Sequence, residues 1–211
     1  MTSVCKVAVF DFDGTLADTY PWFQTVLHDV ATQYGFRAPD PSEHAALRLQ
    51  DARGVLRALG IPLWKAPRIL SHMRARMQAS EAPIALFPGI QEVLERLAAQ
   101  GVRLVLLSSN SEENVRRILG DALAERFERT MCGTDLFGKA NKLTRVLRAM
   151  DCAPDQAMLI GDEIRDIDAA RACGVRMGAV AWGYNHADAL RARAPDVLFE
   201  QPADILHTLL S

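Results

Sequence analysis

Four apolar residues, Val7 to Phe10, run directly into Asp11-Phe12-Asp13-Gly14-Thr15. Alternate residues of an extended chain project to the same side, so Asp11 and Asp13 present two carboxylates to one point. Their charges repel, and chemistry can use that placement. One carboxylate can attack an electrophilic phosphorus, while the other gives a proton to the leaving oxygen and later takes one from water. Gly14 lets the backbone turn away sharply and frees amides for phosphate oxygens. Two further polar stretches follow apolar segments: Ser108-Ser109-Asn110-Ser111, and Gly161-Asp162-Glu163-Ile164-Arg165-Asp166. Singly, each has an ordinary reading, as a turn, a helix cap or a first-turn helix acid. Their joint placement after strands is what favours chemistry.

The elements that must position these groups alternate. Short apolar segments at 4–10, 102–107, 156–160 and 175–181 read as strands, with a weaker one near 127–132. Helical periodicities lie between them, at 89–100, 111–119, 139–150 and 164–173, and a last helix is expected near 202–210. The alternation predicts an α/β fold, a parallel sheet covered on both faces. Ligands of such sheets sit at the carboxyl ends of the strands, which brings Asp11, Asp13, Asp162, Glu163 and Asp166 to one edge. So much negative charge in one crevice calls for a cation, and donors that are all oxygen favour Mg²⁺. Residues 17–86 contain no convincing strand and read as successive helices divided by Pro and Gly, an inserted lid. The expected division is therefore an α/β core of 1–16 and 87–211 with a helical cap at 17–86.

Composition sets the class of partner. The net charge of −2 provides no field to attract nucleic acid or an acidic membrane surface, so the expected partner is a small molecule. No apolar run approaches the roughly 20 residues that span a bilayer. Cys5, Cys132, Cys152 and Cys173 lack metal spacing and nothing at the N-terminus reads as a signal peptide, which points to reduced thiols and a cytoplasmic location. The five histidines show no ligand spacing.

In order along the chain, DFDGTLAD, LLSSN, a lysine before a helix, and IGDEIRDIDAARACGV resemble the haloacid dehalogenase superfamily of hydrolases, in its phosphoglycolate phosphatase-like branch with a helical cap after the first motif. The resemblance implies a Rossmann-like core, Mg²⁺ dependence and an aspartyl-phosphate intermediate. It makes Asp11 the nucleophile and a metal ligand, and Asp13 the general acid/base with a backbone carbonyl on the metal. Ser108 takes the place of the hydroxyl that holds a phosphate oxygen, beside Ser109, Asn110 and the Gly14 turn. The lysine that stabilises the transferring phosphoryl is Lys139 or Lys142, Lys139 matching the family spacing better. Asp162 resembles the metal-binding aspartate, with Glu163 or Asp166 holding metal waters or the lysine.

Asp13 decides the reaction class, because dehalogenases of the family lack an acid there, and phosphonatases usually replace it and use a cap lysine. Lys65, the single cap lysine, lies on a face that reads as packing. The expectation is a phosphatase for small phosphate monoesters, monomeric or homodimeric. A sugar phosphomutase shares both aspartates and stays open, as does a non-catalytic module that binds a phospho-ligand. In the cap, Arg48 and Arg53 are the candidates for an acidic substrate group, and Trp22, Phe23 and Trp64 are read as cap core.

Overall fold

A computed structural model of the chain describes residues 5–133 and 138–211. The core begins with β1 (Val7–Phe10), after which the chain leaves the sheet for α1 (Tyr20–Tyr34), α2 (His44–Leu47), α3 (Ala52–Ala58) and α4 (Ala66–Gln78). It returns through α5 (Ile90–Ala99), β2 (Arg103–Leu107), α6 (Glu112–Leu119), α7 (Asp121–Ala124), β3 (Phe127–Met131) and α8 (Lys139–Ala149). The remainder is β4 (Ala157–Gly161), α9 (Ile164–Cys173), β5 (Arg176–Val180), α10 (Ala187–Arg191), β6 (Val197–Phe199) and α11 (Ala203–Leu210).

The strands form one sheet in the order β3-β2-β1-β4-β5-β6, every neighbour parallel. Strand alternation sorts its side chains onto two faces. Ala8, Phe10, Leu104, Leu106, Met158 and Ile160 pack toward α5 and α11 through Leu94, Leu97 and Ile205. Val7, Val9, Val105, Leu107 and Leu159 pack toward α8 and α9 through Leu143, Leu147, Ile167 and Ala170. Burying a side chain of this size contributes about 1.5–3 kcal/mol, so both faces must be covered for the sheet to hold. That is why these strands are nearly continuous apolar runs.

Sheet order reverses around β1, with β2 on one side and β4 on the other. Phe10 lies in register with both Leu106 and Ile160, so the residues that follow the three strands emerge together at one edge. The insertion also departs from that edge. Its outgoing and returning segments pair across Ala17 and Leu86, with the Asp18 amide donating to Ala85 and the Phe87 amide to Leu16.

Five strands and the core helices fall within a few residues of their expected positions, although β1 begins only at Val7 and Val4 lies outside the described residues. The short elements α7, α10 and β6 carry too little pattern to be read. Of the successive helices expected in 17–86, the one within Glu43–Gln50 is short, only His44–Leu47, and is preceded by a 3-10 turn at Pro41–Glu43. Trp64 is a correction: it is 76% exposed rather than packed, because it sits in the tight turn Leu63–Lys65 ahead of α4, where its ring instead lies beneath the Lys65 ammonium. Among the described residues no helix is long and apolar enough to cross a membrane.

Candidate active site

Asp11 is the first residue beyond β1, and its amide still donates to the Ile160 carbonyl, which fixes the backbone to β4. Its carboxylate is buried. Oδ1 accepts from the Phe12 amide at 2.8 Å, and Oδ2 lies 2.7 Å from Lys139 Nζ. Lys139 opens α8, and its ammonium, with 3% of the side chain exposed, also reaches Asp166 Oδ1 at 2.5 Å. Asp166 closes the first turn of α9, where Oδ2 accepts from the Glu163 amide at 3.0 Å. Burial opposes the charged ammonium, but Asp11 and Asp166 outweigh it and hold the Lys139 pKa above its ordinary value. Lys142, one turn along, donates to the Cys132 carbonyl at 3.1 Å. The geometry thus brings Lys139, not Lys142, to the acidic edge.

Asp162 follows β4 and is held at both oxygens, by the Thr15 hydroxyl and by the Tyr184 amide, each at 2.7 Å. Burial, reinforced by the charges of Glu163, Asp11 and Asp166, drives its carboxyl well above the usual range. Backbone must come very close here. A Cβ at Gly14 would stand 2.2 Å from Asp162 Oδ2, and φ there is +75°, so this turn requires glycine on two counts.

Carboxylate oxygens of Asp11, Asp162 and Asp166 lie within 4.8 Å of one another, all buried. Asp11 Oδ2 has the lysine as an ion-pair partner but accepts no well-directed hydrogen bond. Two cations, Lys139 and Arg165, face a larger number of acids. Donors that are oxygen alone, a buried acceptor that takes no hydrogen bond and a surplus of buried negative charge fit a hard divalent cation.

Asp13 is half-buried beside this group. Its Oδ1 accepts from Asn110 Nδ2 at 3.0 Å, and burial, then the charge of Asp11, lifts its carboxyl to about 6. Ser108, fully buried at the end of β2, accepts the Asn110 amide at its hydroxyl oxygen and donates to no described group, so its proton remains for an incoming oxygen. Asn110 also touches Met77 Sδ of α4, at 3.2 Å. Strand ends and insertion together enclose a cavity of about 280 Å³. Asp13, Ser109, Asn110, Glu163, Arg165 and Tyr184 form its polar end, and side chains such as Leu27, Val30, Ile69 and Met73 its apolar remainder.

The cap arginines are placed differently from one another. Arg48 borders the cavity, but its Nε donates to the Tyr184 carbonyl at 2.9 Å and its Nη2 to the Gly183 carbonyl at 2.8 Å, while the guanidinium lies over the Tyr20 ring. It ties the insertion to the core loop. Arg53 is exposed and is not among the residues bordering the cavity.

Three side chains were not singled out from sequence. Tyr184 packs edge-on against Tyr20 and Phe23 and meets the Thr19 hydroxyl at 3.1 Å. Asn185 accepts from the Ile164 amide at the start of α9 and donates to the Arg48 and Gln50 carbonyls, joining active-site helix to insertion. Arg165 sits in the first turn of α9 with 12% of its side chain exposed; Nε and Nη2 both meet Glu163 Oε1, at 2.9 and 2.5 Å. A cation in a helix's first turn opposes the macrodipole, and that mismatch was a readable signal for Arg165. Tyr184 and Asn185 follow a short strand with no pattern to mark them.

Residues 8–180 match the family model of the haloacid dehalogenase-like hydrolases. The chain belongs to that family. It is 33% identical to a phosphoglycolate phosphatase of Synechococcus elongatus over 205 residues, covering 97% of each chain. It is 27% identical to phosphoglycolate phosphatase 1 of Pseudomonas aeruginosa, covering 97% of this chain and 80% of that one. The fold is that of a solved haloacid dehalogenase-like hydrolase from Streptococcus pneumoniae, with a TM-score of 0.75, 22% identity and 99% of each chain covered.

Proposed function

We propose that this enzyme is a Mg²⁺-dependent phosphatase that hydrolyses small phosphate monoesters through an aspartyl-phosphate, with phosphoglycolate-like substrates as its class. Family membership and the similarity to phosphoglycolate phosphatases make it a phosphoric monoester hydrolase. The observation that carries the mechanism is the buried Asp11–Lys139–Asp166 arrangement beside Asp162, at the point where the sheet order reverses and below the cavity.

Asp11 and Asp162 would hold the cation, with Asp166 beside them. Bound there, it supplies positive charge to the acids and to phosphoryl oxygens. Lys139 counters the burial that raises the Asp11 pKa and adds charge where the transferring phosphoryl develops it. An Asp11 oxygen bonds to phosphorus as the bond to the leaving oxygen breaks, and Asp13 passes its proton to that oxygen. Water then attacks the phosphorus and Asp13 takes a proton back. The bond to Asp11 breaks and inorganic phosphate leaves. A carboxyl lifted to about 6 suits both directions of transfer near neutral pH. Ser108 donates to a phosphoryl oxygen, and the insertion excludes water from the cavity.

Hydrolysis of p-nitrophenyl phosphate tests this reading. Activity should require Mg²⁺ and disappear in Asp11→Asn, whose amide cannot form the acyl phosphate. Undiminished turnover after exhaustive chelation would remove the metal, and normal turnover by Asp11→Asn would remove the covalent step.

A further inference from the structure

Arg165 holds donors that the protein itself does not use. Nε and Nη2 are both taken by Glu163, whereas Nη1 is buried and makes no hydrogen bond. Leaving a buried guanidinium nitrogen unpaired is costly, and a side chain anchored this firmly does not swing out to find water. Arg165 is among the residues that border the cavity, as are Asp13, Ser109 and Asn110, whereas Asp11, Ser108 and Lys139 are not. Phosphoryl oxygens are already served by the latter group. Asp13 protonates the leaving oxygen, so the leaving group extends into the cavity that Asp13 and Arg165 both border. Arg48, the cap candidate on the same cavity, has Nε and Nη2 directed to core carbonyls, and its Nη1 is not among the buried nitrogens left without a hydrogen bond.

We propose that Arg165 Nη1 receives the carboxylate of the substrate's leaving group, which makes Arg165 the residue that selects acidic phosphate monoesters. The proposal rests on the phosphatase reading and deepens it. Glu163 is then a positioning residue, since it fixes the guanidinium through Nε and Nη2 and leaves the third nitrogen for substrate. An arginine serving only to orient Glu163 or to screen the aspartates would need no free nitrogen, and its loss would affect acidic and neutral esters alike.

The test measures kcat and KM for 2-phosphoglycolate and for ethyl phosphate, a neutral ester of similar size, with Mg²⁺ present. Wild type, Arg165→Lys, Arg165→Gln and Arg74→Ala are compared, Arg74 being another arginine that borders the cavity. Arg165→Lys keeps the charge and one bond to Glu163 and supports the fold if Arg165→Gln does not. Wild type is expected to prefer the acid. Both Arg165 variants should lose roughly 10- to 100-fold in kcat/KM on 2-phosphoglycolate, the range for one charge-assisted hydrogen bond, chiefly through KM. KM for ethyl phosphate should stay near wild type in Arg165→Lys. Equal losses on both esters in Arg165→Lys would overturn the assignment, as would no acid preference in wild type, or a preference that collapses in Arg74→Ala and survives in Arg165→Lys. Wild type that cleaves neither ester nor p-nitrophenyl phosphate would overturn the phosphatase reading itself.

Discussion

Lys139→Met is the perturbation whose size follows most directly from the structure. Methionine fills nearly the same volume, so packing against α8 is kept while the ammonium is lost. The lysine stands 2.7 Å from Asp11 and 2.5 Å from Asp166, and all three side chains are buried. Removing one partner of such a cluster leaves uncompensated buried charge, which costs about 3–5 kcal/mol. Lys142→Met loses a bond to the neutral Cys132 carbonyl at a half-buried position and should cost about 1 kcal/mol. Urea unfolding in the presence of chelator, at a series of pH values, measures both. The sign with pH follows from Asp11, whose carboxyl burial already raises and Lys139 restrains. Without the ammonium its folded pKa rises further above the unfolded value, and the folded state then holds the proton more tightly than the unfolded one. The destabilisation is therefore full above the folded pKa and fades as pH falls toward the unfolded value of about 3.9. Adding Asp166→Asn to Lys139→Met should recover part of the loss by removing one of the repelling charges. Equal costs for the two lysine variants, or a Lys139→Met cost that neither low pH nor Asp166→Asn reduces, would refute this account of the cluster.

Mg²⁺ at 100 times its dissociation constant should stabilise the protein by about 2.7 kcal/mol, which raises the melting temperature by about 5–10 °C in a chain of this length. Calorimetry checks this, and the shift should vanish in Asp162→Asn. Asp13→Asn should lower kcat by about 10²–10⁴-fold. In single-turnover experiments the first half-reaction should lose less with p-nitrophenyl phosphate, whose leaving group needs little proton assistance, than with an alkyl ester. Arg48→Ala should cost about 3–6 kcal/mol of contact between insertion and core, because two charge-assisted bonds to the Gly183 and Tyr184 carbonyls disappear. Faster hydrogen exchange in α1–α3, and a KM raised alike for acidic and neutral esters, would show it; a loss confined to acidic esters would instead give Arg48 the carboxylate.

Sequence made the acidic edge legible because strand ends in a parallel sheet are positions, not contacts. Once VAVF, RLVLL and AMLIG are recognised as strands, Asp11, Ser108 and Asp162 must emerge together, and the register of Phe10 with Leu106 and Ile160 places them so. The choice between Lys139 and Lys142 was less legible, since both open the same helix and three residues separate them. Only the burial of the first turn of α8 against α9 distinguishes an ammonium between two carboxylates from one on a carbonyl. Arg48 and Arg165 show the limit of pattern. A basic side chain on a cap helix can reach solvent, a substrate or a carbonyl with the same spacing, and what directs Arg48 to the core is the loop at Gly183 and Tyr184, remote in sequence. Arg165 lies inside a motif whose acids draw attention, yet it is the cation that a helix N-terminus disfavours. A residue that opposes its local preference is held there by other contacts, here the bonds to Glu163 and the charges of Asp11 and Asp166, and Arg165 so held borders the cavity.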